Sequence, residues 1–327
     1  MMICIVGYGT TAHSHARIFQ REGITIDSVV GRLADQTAAF ARECDDCFAT
    51  TDLAEALARP GVEAVIVCSP SAAHAEQTEH ALHMGKHVLC EIPLAMSFVD
   101  ADRIATLARQ QRRVVMVAHT HRYQPAIRLA KQRIAAGHLT LHHVIARYVF
   151  LRRENIDWSG RKRSWTDNLI WHHGCHATDM ALWLLGSTTP GDVAVTSKVA
   201  LPDQHMRIPL DLSILMRTHQ DQLASVNMSY NSHISLYDYL LIGTDDTLLV
   251  RNGELSSKDG TIFAPDQPST YDESATVLQN REFLAAIRED RQAAISADAV
   301  LPAMWVLQQV QDAADAFAVD KGPHPMS

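Results

Sequence analysis

Met2-Ile3-Cys4-Ile5-Val6-Gly7-Tyr8-Gly9-Thr10-Thr11-Ala12 is the stretch on which the fold turns. Residues 3–6 form an apolar, partly β-branched run suited to a buried strand, and the next six residues have the G-x-G-x-x-G/A spacing. At that spacing Gly7 permits a tight turn, Gly9 lets a pyrophosphate approach the backbone, and Ala12 allows a helix to pack closely on the strand. Thr10 and Thr11 open that helix, whose unpaired amides and positive end favour an anion.

The same alternation continues outward. Residues 26–30, 64–67, 87–90 and 114–117 read as further buried strands, and residues 10–21, 35–43, 72–84 and 99–110 read as helices. Strands alternating with helices of this length build a doubly wound parallel sheet, so residues 1–120 are expected to form an α/β Rossmann domain that binds NAD or NADP. Past Arg122 the pattern changes to one helix ending near Gly137, followed by strands at 144–150, 193–199, 211–216 and 223–228. Asn252-Gly253, between 247–250 and Leu255, is a two-residue hairpin signal. Residues 278–288 and 300–316 return to helix with an apolar stripe. Residues 121–327 are therefore expected to form an α+β domain with a mostly antiparallel open sheet, serving substrate binding and oligomerisation.

Bulk properties narrow the function. A chain of 327 residues exceeds one typical core of about 150 residues, which agrees with two domains. The net charge of −8 offers no overall attraction for a polyanion, so nucleic acid is not an expected partner. No apolar run approaches the ~18 residues that a membrane span needs, and the opening residues carry no basic leader, so a cytoplasmic protein without membrane association is expected. The six cysteines are scattered as reduced core thiols usually are, and Cys44-Asp-Asp-Cys47 has no second pair to form a metal or redox motif.

The end of the second strand bears on the choice of dinucleotide. An NAD site usually places Asp or Glu there for the ribose 2′-OH, whereas this chain has Gly31-Arg32. Arg32 suits a 2′-phosphate, so NADP is the expected cofactor and NAD the alternative.

Cys68-Ser69-Pro70-Ser71-Ala72-Ala73-His74 is followed by Ala81-Leu82-His83-Met84-Gly85-Lys86-His87-Val88-Leu89-Cys90-Glu91-Ile92-Pro93. These segments resemble the glucose–fructose oxidoreductase, inositol dehydrogenase and rhizopine catabolism (Gfo/Idh/MocA) family. Its pattern there is T-P-x-x-x-H and then A-L-x-x-G-K-H-V-x-x-E-K-P. Arg122-Tyr123-Gln124-Pro125 resembles the family's R-x-x-P segment, and Gln279-Asn280-Arg281-Glu282-Phe283 its late helix. The resemblance implies hydride transfer to a nicotinamide, with cofactor contacts from Ser69, Pro70, His74, Glu91, Pro93 and Arg122.

Two departures carry chemical information. The family's E-K-P lysine is Ile92 here, and its D-x-x-x-H helix appears as His172-His173-Gly174-Cys175-His176. His176 stands at the family's catalytic histidine position, and His172 replaces the aspartate one turn earlier. Phe150-Leu151-Arg152-Arg153-Glu154-Asn155 and Arg163-Ser164-Trp165-Thr166-Asp167-Asn168 further resemble a branch of the family that oxidises the cyclic hemiacetal of a carboxylated semialdehyde to a lactone, using NADP.

Read without the family, Arg152, Arg153 and Arg163 gather near His172, His173 and His176 in an otherwise acidic chain. Guanidinium forks bind carboxylates in bidentate fashion, so a carboxylated small molecule is the expected substrate, met by Arg152, Arg153, Arg163, Trp165 and His173. A loop whose charges pair with Glu154, Asp157 and Asp167 is the alternative. His172 and His176 are the expected catalytic residues, with no metal, since the glutamate of an H-E-x-x-H zinc motif is absent. A sugar or cyclitol dehydrogenase and a non-catalytic dinucleotide sensor are the competing functions, and a homodimer or homotetramer is the expected assembly.

Overall fold

The computed structural model describes residues 1–156, 160, 162, 168–266 and 273–321. Two units make up the chain, Met1–Thr120 with Glu273–Val300, and His121–Asp272 with Leu301–Ser327. The sequence suggests a single junction at residue 120, but the chain passes between units three times, because a late helical segment belongs with the first core.

The first unit runs β1 (Met2–Val6), α1 (Thr10–Arg21), β2 (Thr25–Val30), α2 (Ala34–Glu43), β3 (Phe48–Thr50), α3 (Leu53–Leu57), β4 (Val62–Val67), α4 (His74–His83), β5 (His87–Cys90), α5 (Phe98–Gln111) and β6 (Val115–Val117). All strand pairs are parallel, in the order β3-β2-β1-β4-β5-β6. The order reverses between β1 and β4, which is where an open α/β sheet forms its ligand crevice. Ile3, Cys4, Ile5, Ala64, Val65, Ile66 and Val67 are fully buried, as expected of strands covered on both faces.

The second unit follows with α6 (Pro125–Ala135), β7 (Leu141–Leu151), α7 (His173–Leu185), β8 (Val193–Val199), β9 (Asp211–Thr218), β10 (Leu223–Ser229), β11 (Asn231–Gly243), β12 (Thr247–Arg251), β13 (Glu254–Ser257) and β14 (Gly260–Phe263). Its eight-stranded sheet has the order β14-β13-β12-β11-β7-β10-β9-β8, with only β7 and β10 parallel. Asn252 (φ 52°) and Gly253 (φ 81°) join β12 to β13, the two positive φ values that a type I′ hairpin turn requires.

Helix α8 (Glu273–Arg288) returns to the first unit, where Arg21–Glu273 and Arg281–Glu22 pairs tie it to α1 at 3.1 and 2.9 Å. The last helix, α9 (Ala297–Lys321), divides at Val300/Leu301 between the units. Among the described residues no helix is long and apolar enough to cross a membrane. The six cysteines are free.

Candidate functional site

In the first unit the expected dinucleotide residues collect on the loops leaving β1, β4 and β5. Gly7 has φ +109°, and a Cβ there would stand 2.5 Å from the Cys68 carbonyl oxygen, so only glycine lets these loops meet. Gly9 is the N-cap of α1, and a Cβ built on it meets nothing within 4 Å. The first turn of α1, with Thr10 and Thr11 half-buried, carries no acidic residue that would repel a phosphate at the helix N-terminus. Ala12 is fully buried under the helix.

A side chain at Gly31 would lie 2.4 Å from both Thr37 Oγ1 and Tyr8 Cδ1, which leaves Arg32, exposed, as the first side chain after β2. The nearby acid on β2, Asp27, is held by Arg59 at 2.6 and 3.2 Å.

On the neighbouring loops His74 is clamped between two carbonyls, donating from Nδ1 to Pro93 at 2.7 Å and from Nε2 to Ser69 at 2.8 Å. That clamp ties the Ser69-Pro70 turn to the Glu91–Pro93 loop. Burial opposes a charge on His74, but Cys90 and the two carbonyls outweigh it and raise its pKa to about 9. Glu91 accepts from His15 Nε2 at 2.9 Å, and Ile92 is buried next to it, placing an untitratable side chain where the family has lysine. The open space at Gly9 and the acid-free helix end fit a dinucleotide phosphate.

In the second unit α7 begins at His173, and His172 is its N-cap rather than a helical residue. Gly174 packs closely, since a Cβ there would stand 3.2 Å from Leu169 O. Cys175, Ala177, Met180 and Ala181 are buried beneath the helix, leaving His172, His173 and His176 half-buried. Ring centroids of His172 lie 4.6 Å from His173 and 6.4 Å from His176. Among the described residues no three His, Cys, Asp or Glu side chains gather in a way that could hold a metal ion.

The arginine cluster reaches this helix through Tyr230. Arg152 is buried, its guanidinium lies 5.2 Å from the Tyr230 ring centroid, and its Nη2 donates to Asn155. The Tyr230 hydroxyl meets His173 Nδ1, and the Phe150 ring packs 5.5 Å from His173. Arg153 is exposed, with Nη1 donating to Tyr230 O at 3.0 Å, and Lys162 pairs with Glu154 at 3.3 Å. Arg163 and Trp165 lie outside the described residues.

Arg122, expected at the cofactor, is seen in the second unit paired with an acid of α7. Its Nε and Nη2 donate to the two carboxylate oxygens of Asp179 at 2.8 and 2.5 Å, both partners are buried, and the Trp183 ring lies 5.3 Å away. Two of its three nitrogens are thereby committed to anchoring α7.

One cluster goes unmarked in the sequence reading. His121 stands beside His176, with ring centroids 4.1 Å apart, and His121 in turn meets the phenols of Tyr148 and Tyr237, with Tyr239 bonded to Tyr148. The available signal was the Tyr-x-Tyr pair on β11, which puts Tyr237 and Tyr239 on one face of the sheet. Burial pushes all three phenols above their ordinary range, so they keep their protons.

Known proteins bear on the family and the fold. Residues 1–119 match the oxidoreductase family with an NAD-binding Rossmann fold, and residues 125–262 match the bacterial oxidoreductase C-terminal domain. The chain is 33% identical to the 4-carboxy-2-hydroxymuconate-6-semialdehyde dehydrogenase of Sphingobium sp. strain SYK-6, over 95% of this chain and 98% of that protein. Among solved structures, UDP-N-acetylglucosamine 3-dehydrogenase from Acidithiobacillus ferrooxidans superposes with a TM-score of 0.80 at 22% identity, covering 97% of this chain and 98% of that one. Levoglucosan dehydrogenase in complex with NADH gives 0.81 at 18% identity, covering 97% of each. At those identities the two structures bear on the fold alone. The full-length relative and the two matched halves together make the chain a member of the Gfo/Idh/MocA family of NAD-binding oxidoreductases.

Proposed function

We propose that this enzyme is an NADP-linked dehydrogenase that takes a carboxylated semialdehyde as its cyclic hemiacetal and oxidises it to a lactone. The observation that carries the reading is the joining of Arg152 to the histidine helix through Tyr230, which sets a buried guanidinium beside the end of α7 that bears His176. A dicarboxylate gains charge-assisted bonds from such a group, while a neutral sugar gains little. The full-length likeness to a semialdehyde dehydrogenase supports the same substrate class.

Gly7, Gly9, Thr10, Thr11 and Ala12 would hold the dinucleotide phosphates, with Ser69, Pro70, Glu91 and Pro93 on the adjoining loops. Arg32 would pair with the 2′-phosphate, since Asp27 is already bound by Arg59. When bound, the nicotinamide supplies the hydride acceptor. His176 takes the hydroxyl proton of the hemiacetal at Nε2, because its Nδ1 is buried. Loss of that proton and of hydride from the carbon turns the hemiacetal into the lactone carbonyl. His172 and His173 orient the ring of the substrate, and Ile92 plays no part in proton transfer. The same reading includes a homodimer or homotetramer, for which the exposed Leu215 and Leu223 on one face of β9 and β10 offer apolar surface.

The test follows reduced nicotinamide by absorbance with 4-carboxy-2-hydroxymuconate-6-semialdehyde, myo-inositol and glucose, each with NADP and NAD. Turnover of the semialdehyde, faster with NADP, is the expected result. Efficient oxidation of a neutral sugar with none of the semialdehyde would replace this reading by a sugar dehydrogenase, and dinucleotide binding without any turnover would replace it by a sensor.

A further inference from the structure

Tyr237 and Tyr239 lie on β11 and Tyr148 directly opposite Tyr237 on β7. The Tyr148 hydroxyl is 2.7 Å from that of Tyr239 and also donates to Tyr237. The chain ends on His121, whose Nδ1 is 2.6 Å from the Tyr237 hydroxyl and 3.1 Å from that of Tyr148. Each phenol has one proton to place. The order Tyr239 to Tyr148 to Tyr237 to His121 Nδ1 uses all three donors and ends on the lone pair of an imidazole. That order makes His121 neutral, with its own proton on Nε2.

The ring so fixed lies 4.1 Å from His176, inclined by 31°. Tilted rings at that separation are in van der Waals contact, so the plane of His121 restricts the plane of His176. A neutral neighbour also leaves His176 able to accept a proton, whereas an imidazolium there would oppose a second charge.

We propose that His121 is a positioning residue for His176, and that the Tyr148–Tyr237–Tyr239 phenol chain sets its tautomer and its ring plane. The proposal rests on the assignment of His176 as the base. It supplies what that base requires in a chain with isoleucine at position 92: one orientation and one protonation state imposed from within the second unit.

The test combines kinetics with a measurement that needs no turnover. With 4-carboxy-2-hydroxymuconate-6-semialdehyde and NADP, His121→Ala is expected to lower kcat about tenfold, because sub-ångström misplacement of a catalytic group is costly, with KM and NADP affinity changed less than about twofold. Tyr237→Phe is expected to lower kcat in the same sense, and His121→Asn, whose amide oxygen can still accept from Tyr237, to recover part of the loss. In a His176→Ala background His121→Ala should cost nothing more, since it acts through His176. Histidine-selective ¹⁵N NMR of the protein without ligands should show His121 Nδ1 as an unprotonated acceptor, and Tyr237→Phe should change that signal.

An undiminished kcat in His121→Ala, an equal loss in the His176→Ala background, or a protonated Nδ1 would each overturn the proposal. Full turnover by His176→Ala alone would show instead that the assignment of the base had failed, and the proposal with it.

Discussion

Replacing His74 with glutamine removes a charge that the first unit holds in its interior. Both ring nitrogens face carbonyl oxygens, which only accept, and an imidazole donates from both nitrogens only when it is protonated. Its pKa rises from 6.5 to about 9 on folding, with burial opposing the charge and Cys90 and the two carbonyls favouring it. At 1.36 kcal/mol per pH unit, that difference corresponds to about 3 kcal/mol of stability. Because the folded pKa is the higher one, the contribution is complete below pH 6.5, declines as the pH rises, and is gone above about 9. Urea unfolding of the wild type and His74→Gln across that window measures the term directly. Shared titrations cancel in the difference between the two proteins, which should narrow by roughly 3 kcal/mol from the acid to the alkaline end. A difference that stays constant, or widens with pH, would refute the buried imidazolium.

Arg32→Asp should weaken NADP binding by tenfold or more while leaving NAD nearly unchanged or improved, as read by fluorescence titration of the two reduced dinucleotides. Tighter binding of NAD than NADP by the wild type would contradict that role for Arg32. Asp179→Asn leaves the buried Arg122 guanidinium without its carboxylate and should cost about 3–5 kcal/mol in denaturant unfolding; a loss below ~1 kcal/mol would show the pair to be replaceable. Arg152→Lys keeps the charge but loses the planar fork, and it should raise KM for a dicarboxylated semialdehyde about tenfold with a smaller effect on kcat; an unchanged KM would remove Arg152 from the substrate site.

The parallel sheet was legible because its central strands are buried on both faces and read as unbroken apolar runs, and because Gly7 performs a backbone task tied to residue type. Asn252-Gly253 was legible for the same reason, since both positions need positive φ. Strand β3 and helix α3, three and five residues long, are too short to carry a period. The return of α8 to the first unit was not readable either, because an amphipathic stripe states that a helix has a buried face and not which core receives it. Arg122 shows the corresponding limit for motifs, as its match placed the residue on the chain but could not supply its partner, Asp179, 57 positions later.

Strand β11 connects these limits to the chemistry. Its first residues, Asn231 and 233–235, are exposed, so no simple alternation marks its start, and it escapes a reading by period. Tyr237 and Tyr239 were missed with it. His121 then looks like one histidine among 18, since its hydroxyl partners lie 27 and 116 residues away and meet it only when β11 pairs with β7. Ile92 makes the omission consequential. With Ile92 after β5, the proposed reading gives proton transfer to His176, whose neighbour His121 is held by contacts between distant strands rather than by a local motif. The glycine turn of the first unit is built from adjacent residues and can be read along the chain. The histidine–tyrosine cluster of the second unit is built from sheet register, and becomes visible only when the strands are paired.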